Sequence, residues 1–197
     1  MIKNRSATED EMISAFLQAE VDSPKWGPCV TKGLAAVGSG RQLVDQPRLN
    51  DASENNRRKR VLDHCRGYER RVDIFTGFPL DVMWWQAQLQ PGDFATMKYM
   101  AHRSWAELSL GTRLVSVGAS NFHKCSADQR FTHIASLAEA VRDGVRFEPL
   151  IAIQHHDDYL VLVEGHSRAT AYVIESFVKS ADAFVGASST MHNWKHY

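Results

Sequence analysis

Five consecutive residues, Glu164, Gly165, His166, Ser167 and Arg168, set a carboxylate, a flexible backbone link, an imidazole, a hydroxyl and a guanidinium between the apolar runs YLVLV and ATAYVI. The β-branched run before them predicts a strand. The spacing of Ala169, Val173 and Phe177 after them predicts a helix, so the five polar residues fall at a strand-to-helix junction. The first turn of a helix carries backbone N–H groups without internal partners, and the aligned peptide dipoles favour anions there, phosphate above all. Gly165 lets a ligand approach the backbone, His166 and Ser167 can donate to an oxygen, and the planar fork of Arg168 matches phosphate geometry. A carboxylate beside an anion site repels the ligand unless a metal ion or a proton-transfer role compensates. Glu164 is therefore the candidate Mg²⁺ ligand or general base, with His166 as the second candidate catalytic group. The same residues also admit a purely structural reading: Ser167 as a helix cap, Arg168 paired with Glu164 or Asp158, and His166 as a half-buried histidine.

The junction must be held by its neighbours. FTHIASLAEAVRDG places Ile134, Leu137, Ala138 and Val141 at helical spacing, with Gly144 as the stop. PLIAIQ and YLVLVEG, joined by the polar HHDD, predict a β-hairpin, and DAFVGAS a further strand. TRLVSVGAS reads as a strand ending at Gly118. Loops at one end of a sheet converge, so Ser116, Ser120, Asn121 and His123 are candidates for the same pocket, with Ser120 and Asn121 as additional nucleotide-binding residues. Upstream, Phe94, Met97, Ala101, Trp105 and Leu108 predict one amphipathic helix capped by Asp93. A helix is expected from Thr8, as N-cap, to Glu20. Residues 22–56, rich in Gly, Pro, Ser and Asn, are expected to be mostly loop.

Arg57 to Arg71 holds seven basic residues among fifteen, on a predicted helix ending near Gly67. It reads either as a surface face paired with Glu54, Asp63 and Glu69, or as a phosphate or DNA contact through Arg57, Arg58, Lys59 and Arg60. His155, His156, Asp157 and Asp158 resemble metal ligands on paper but sit in a turn, where solvation is the expectation. His192 and His196 lie four apart without an intervening Glu, which removes the metalloprotease pattern. Trp194 predicts that the terminal segment docks. Trp84 and Trp85 are poor candidates for one stacking platform, because adjacent helical side chains diverge.

The chain has 197 residues, and 23 basic residues balance 23 acidic ones. A neutral total gives the whole surface no bias toward nucleic acid, so a small nucleotide is favoured over long DNA. Three widely spaced cysteines argue against a disulfide framework or a zinc ribbon. With no apolar stretch of signal-peptide or membrane-spanning length, a soluble cytoplasmic protein is expected.

The run SLAEAVRDGVRFEPLIAIQHHDDYLVLVEGHSRATAYV resembles the N-terminal domain of the ParB/sulfiredoxin superfamily. The shared order is a helix followed by Gly, a strand with Pro at its start, a tight polar turn, a strand, and a Gly-x-x-Arg turn opening a helix of small residues. The resemblance covers Thr112 to Thr190, with TRLVSVGAS in the place of the family's first strand. It implies an α+β fold with a small mixed sheet and flanking helices over residues 111–197, preceded by a mainly helical extension over residues 1–110. It also implies that Gly165, His166, Ser167 and Arg168 line a phosphate pocket for ATP or CTP. Sulfiredoxins carry a nucleophilic cysteine in this turn where this chain has His166, which excludes sulfinic-acid repair. ParB proper has a second Arg there, and long DNA-binding helices that do not follow here. The acidic-Gly-x-x-Arg form is associated with nucleotide hydrolysis or phosphoryl transfer. The expectation is an NTP-dependent phosphotransferase or NTPase with Mg²⁺, with a non-catalytic nucleotide-sensing or DNA-associated module, or a ParB-like nuclease, as the alternatives.

Overall fold

A computed structural model describes residues 1–122, 129–156, 158–176 and 180–197, and side chains are described for all of these except 129–131. The architecture is mixed α and β. Among the described residues there are nine α-helices and one five-stranded sheet, and no helix is long and apolar enough to cross a membrane. The chain forms two compact units: one comprises Met1–Ser6, Trp85–Ala187 and His196–Tyr197, the other Ala7–Trp84 and Ser188–Lys195.

The sheet is built from β1 (Ile2–Ala7), β2 (Met83–Leu89), β3 (Leu150–Gln154), β4 (Leu160–Glu164) and β5 (Ala181–Ala187), in the order β1-β2-β5-β3-β4. The predicted hairpin forms: β3 and β4 pair antiparallel, with Gln154 opposite Leu160 and Ala152 opposite Leu162. β5 lies parallel to β3 on its other side, Leu150 opposite Ala183 and Ile153 opposite Gly186. A parallel neighbour needs a crossover, and the helix that opens at the polar turn supplies it. β3 is therefore interior, covered on both faces. This accounts for its apolar run LIAI without polar alternation.

The helices of the sheet-bearing unit are α5 (Pro91–Thr96), α6 (Arg103–Leu108), α7 (Val115–Asn121), α8 (Gln129–Arg142) and α9 (His166–Ile174). Two predictions fail here. The single amphipathic helix from Phe94 to Leu108 is instead α5 and α6, separated by an extended stretch. In that stretch the Lys98 N–H donates to the Leu160 carbonyl (2.8 Å) and the Leu162 N–H to the Lys98 carbonyl (2.9 Å), so sheet pairing outcompetes helical propensity. As a reading of burial the spacing holds in part: Phe94, Met97 and Leu108 are core and Trp105 is half-buried, but Ala101 is exposed. Asp93 is the N3 partner of a capping box whose cap is Gln90. TRLVSVGAS is α7, not a strand. Only Leu114 makes a bridge, to Lys98, after which the chain turns helical and packs Val115, Gly118 and Ala119 inward.

The other unit contains α1 (Glu9–Val21), α2 (Gly27–Ala36), α3 (Gln42–Asp45) and α4 (Ala52–Arg66), with a 3-10 turn at Asp73–Phe75. Thr8 and Glu11 form the capping box of α1, and Asp51 caps α4, which ends on Gly67 in the left-handed region (φ 73°). The expectation of mostly loop over 22–56 is wrong. Pro28 sits near the start of α2, where its missing N–H costs nothing, and Gly33 is a contact point for Val61. Tyr68, Phe75, Phe78, Trp84 and Trp194 build an aromatic core, with Phe75 edge-on to Tyr68 and to Phe78 (4.7 and 5.3 Å between centroids). Trp194 is 2% exposed and donates from Nε1 to the Ile74 carbonyl (2.7 Å), so the terminal segment docks as expected.

The candidate phosphate turn

Glu164 ends β4, Gly165 turns, and His166 begins α9, so the strand-to-helix junction forms as the residue pattern predicts. Gly165 has φ 90° and ψ 20°, backbone that an L residue adopts only with strain. A Cβ there would also fall well inside contact distance of Leu150 Cδ2 and 3.2 Å from Arg168 Nη2. Both backbone and packing thus require glycine. The β3–β4 register slips next to the turn: Ile151 faces Glu164 rather than Val163, a bulge that re-aims the carboxylate at the strand end.

Arg168, 8% exposed, is engaged on both arms of its fork: Nη2 pairs with Glu164 Oε2, and Nη1 donates to the Glu148 carbonyl. The i,i+4 pair is nearly enclosed, its side chains 10% and 14% exposed. Burial of two opposite charges together leaves little net field, so the turn is close to neutral as it stands. Ser167 is half-buried in the first turn of α9, which has no side-chain cap hydrogen bond.

His166 is the third ring of a stack. Its imidazole lies 5.1 Å from Trp105, at 15° between planes, and 6.0 Å from Tyr99, while Trp105 and Tyr99 are 4.8 Å apart. Tyr99 and Thr170 share a hydroxyl hydrogen bond (2.7 Å), and the Thr170 hydroxyl donates to the His166 carbonyl (2.8 Å). Burial pushes the Tyr99 phenol up, with the Thr170 bond opposing, so it stays protonated. A Cβ on Gly118 would collide with the Tyr99 ring, so glycine lets α7 close over it. On α8, partial desolvation and then the Arg168 cation hold the His133 imidazole below its ordinary range.

Tyr99, Trp105, His133 and Glu148 were not among the sequence candidates. Trp105 was legible only as an apolar position, and the others depend on long-range packing. Of the remaining candidates, Ser120 Oγ donates to the Ser116 carbonyl and Asn121 Nδ2 to the Val117 carbonyl, both 3.0 Å, along α7 itself. His123 and Asp157 lie outside the described residues.

Elsewhere, His156 and Asp158 of the hairpin turn are exposed as expected, whereas His155 is buried, stacked 4.0 Å from Tyr159 and 4.2 Å from Tyr197. His196 Nδ1 bonds the Ala101 carbonyl (2.8 Å). Among the described residues, no group of three His, Cys, Asp or Glu side chains could hold a metal ion. Trp84 and Trp85 lie on a strand, where successive side chains take opposite faces.

The basic run is largely consumed by the fold. Arg58 is fully buried, bonded to the Leu43 and Arg48 carbonyls (both 3.2 Å), to Asn55 Oδ1 and to Glu54. It is not a surface DNA contact. Lys59 pairs with Glu9 (2.8 Å), Arg57 bonds Ser39 (3.1 Å), and Arg60 is exposed. The hydrogen bond and charge of Arg48 hold Glu54 down to about 2.

The class that fold and site define is a mixed α+β protein with an ion-paired glycine turn opening a helix beside stacked rings. No protein-family model, curated protein or solved structure matches the chain.

Proposed function

We propose that the protein binds a nucleotide by its phosphates at the Glu164–Arg168 turn, as a ParB/sulfiredoxin-like module. The observation that carries this reading is the junction itself: a left-handed Gly165 at the N-terminus of α9, next to a bulge, with Arg168 in the first helical turn. In this reading Glu164 acts as a stand-in anion. Its carboxylate occupies Arg168 until phosphates take its place, and the displaced carboxylate is then available to accept a proton from an attacking water or hydroxyl. That is the NTPase or phosphotransferase form. Half-buried Trp105, backed by the buried Tyr99 and His166 rings, is the member of the stack against which a base can lie beside the turn. Glu164 alone, already paired, does not make a Mg²⁺ site. Mg²⁺ is retained here only as a companion of the nucleotide's own phosphates.

A second reading, nucleotide sensing without turnover, is favoured by the ion pair. With Arg168 satisfied in both states, ligand exchange at Glu164 is a two-state element that needs no chemistry. Salt-dependent DNA binding through Arg57, Lys59 and Arg60 is a weaker reading now that Arg58 is buried. A nuclease finds no paired carboxylates at the turn.

The test is a thermal-shift series with ATP, CTP, GTP and UTP on the wild type, Glu164→Gln and Arg168→Lys, followed by phosphate-release assays. A nucleotide at about 100 times its Kd stabilises by about 2.7 kcal/mol. The wild type should shift, Glu164→Gln should shift at lower concentration because the competing anion is gone, and Arg168→Lys should lose most of the effect. Turnover that disappears in Glu164→Gln while binding persists selects the enzyme over the sensor. Absence of any shift in both the wild type and Glu164→Gln refutes the phosphate site.

A further inference from the structure

Two thiols that the phosphate turn does not use face each other in the helical unit. Three contacts fix α2 and α4 as antiparallel neighbours: Arg57 Nη1 donates to Ser39 Oγ (3.1 Å), Gly33 abuts Val61, and the Arg66 guanidinium lies 3.8 Å over the Trp26 ring. Residue numbers fall along α2 as they rise along α4. Cys29 lies one helical turn before Gly33 and Cys65 one turn after Val61, so both belong to the stripe along which the helices touch. The backbones are close because Gly33 has no side chain: a Cβ there would stand 3.5 Å from the Val61 Cα. A disulfide requires Cα atoms about 4.4–6.8 Å apart, and the absent side chain of Gly33 is what lets α2 and α4 approach closely beside the two cysteines. Both cysteines are free thiols, Cys65 buried and Cys29 half-exposed.

We propose that Cys29 and Cys65 form a reversible disulfide between α2 and α4 when the protein meets a peroxide. The half-exposed Cys29 reacts first: its thiolate attacks one peroxide oxygen, the O–O bond breaks, hydroxide leaves, and a sulfenic acid remains. The Cys65 sulfur then attacks the Cys29 sulfur. The S–S bond forms as the S–O bond breaks, and the departing oxygen leaves as water with the Cys65 proton. Each sulfur loses one electron and the peroxide gains two. A dithiol reverses the step by exchange. Burial, followed by the hydrogen-bonded Cys29 thiol beside it, pushes the Cys65 thiol up, so Cys65 suits the resolving role rather than that of first nucleophile.

The experiment treats the full chain with hydrogen peroxide, alkylates the remaining thiols, and maps cross-linked peptides without reduction. The expected result is a monomeric product that has lost two hydrogens, with the Cys29 peptide joined to the Cys65 peptide. Its melting midpoint should lie above that of the reduced form and return to it with dithiothreitol. Cys125→Ser, which removes the third thiol, should behave as the wild type does, whereas Cys29→Ser should give no intramolecular bond. Cys29→Ser carries the test because its site is half-exposed, while a change at buried Cys65 could unfold the chain. A bond to Cys125, a cross-linked dimer, or Cys29 driven to sulfinic acid without a cross-link would each overturn the proposal.

Discussion

Replacing Gly165 by alanine applies two separable stresses to the candidate site. The first is conformational: an L residue held at φ 90° pays about 1–2 kcal/mol for the left-handed region. The second is steric. The new methyl meets Leu150, a fully buried residue, and comparable overpacking costs about 1–3 kcal/mol. Together they predict a loss of about 2–5 kcal/mol, a large part of the roughly 5–15 kcal/mol that holds a domain folded. Gly144→Ala is the internal control. It shares the positive φ (79°) but has open space around the missing methyl, so only the conformational cost of about 1–2 kcal/mol applies. Gly92→Ala, with neither stress and a place in α5, should be neutral or stabilising by about 0.4–1 kcal/mol. Equilibrium urea unfolding of the three variants orders them. The reasoning is refuted if Gly165→Ala costs no more than Gly144→Ala.

Glu54, held down to about 2 from an ordinary 4.5 chiefly by its Arg48 hydrogen bond, binds its proton more readily unfolded than folded. Its contribution is complete above pH 4.5, falls away as pH drops toward 2, and should be absent from the acid-stability profile of Glu54→Gln; superimposable profiles for the two proteins would remove the Arg48 pairing from the account. Tyr99→Phe deletes the hydroxyl shared with Thr170 and should cost about 1 kcal/mol in urea unfolding. In the Thr170→Val background the same change should cost clearly less, and equal costs in both backgrounds would mean the two hydroxyls are not coupled.

The hairpin and the helix that follows it were legible because their pattern is local: continuous β-branched runs, a polar turn, then helical spacing after a glycine. α1 was legible from its cap, and α4 from its terminal Gly67. Where the sequence misled, long-range pairing had overruled local preference. Met97 to Tyr99 has helical periodicity, yet Lys98 lies between Leu114 and Val161 and is drawn into extended form by both. TRLVSVGAS has the composition of a strand, but its small residues Gly118 and Ala119 are where α7 closes on Tyr99. In 22–56, two of the glycines that suggested loop, Gly27 and Gly33, are contact points of α2, against Val21 and Val61. The turn chemistry of Glu164 to Arg168 was visible in residue types. The pairing of Arg168 with Glu164 was one of the open readings, but its second bond, to the Glu148 carbonyl, and its neighbours Tyr99 and His133 gave no signal, because nothing in the local pattern says which distant group will arrive. The basic run shows the converse: charge was plain in the sequence, but the desolvation of Arg58 depends on a cage of carbonyls from Leu43 and Arg48.

Lys98 pairs with β4 for the length of a single residue, and a strand that short has no existence before its partner. Its two hydrogen bonds form only once the hairpin stands, so slow amide exchange at Lys98 and Leu162 reports a finished sheet rather than an early one. That residue also closes what is otherwise the open border of an apolar strand. Loosening of residues 97–99 would expose the LVLV backbone to a second molecule, making the lost protection at Lys98 and the onset of self-association two views of one opening event.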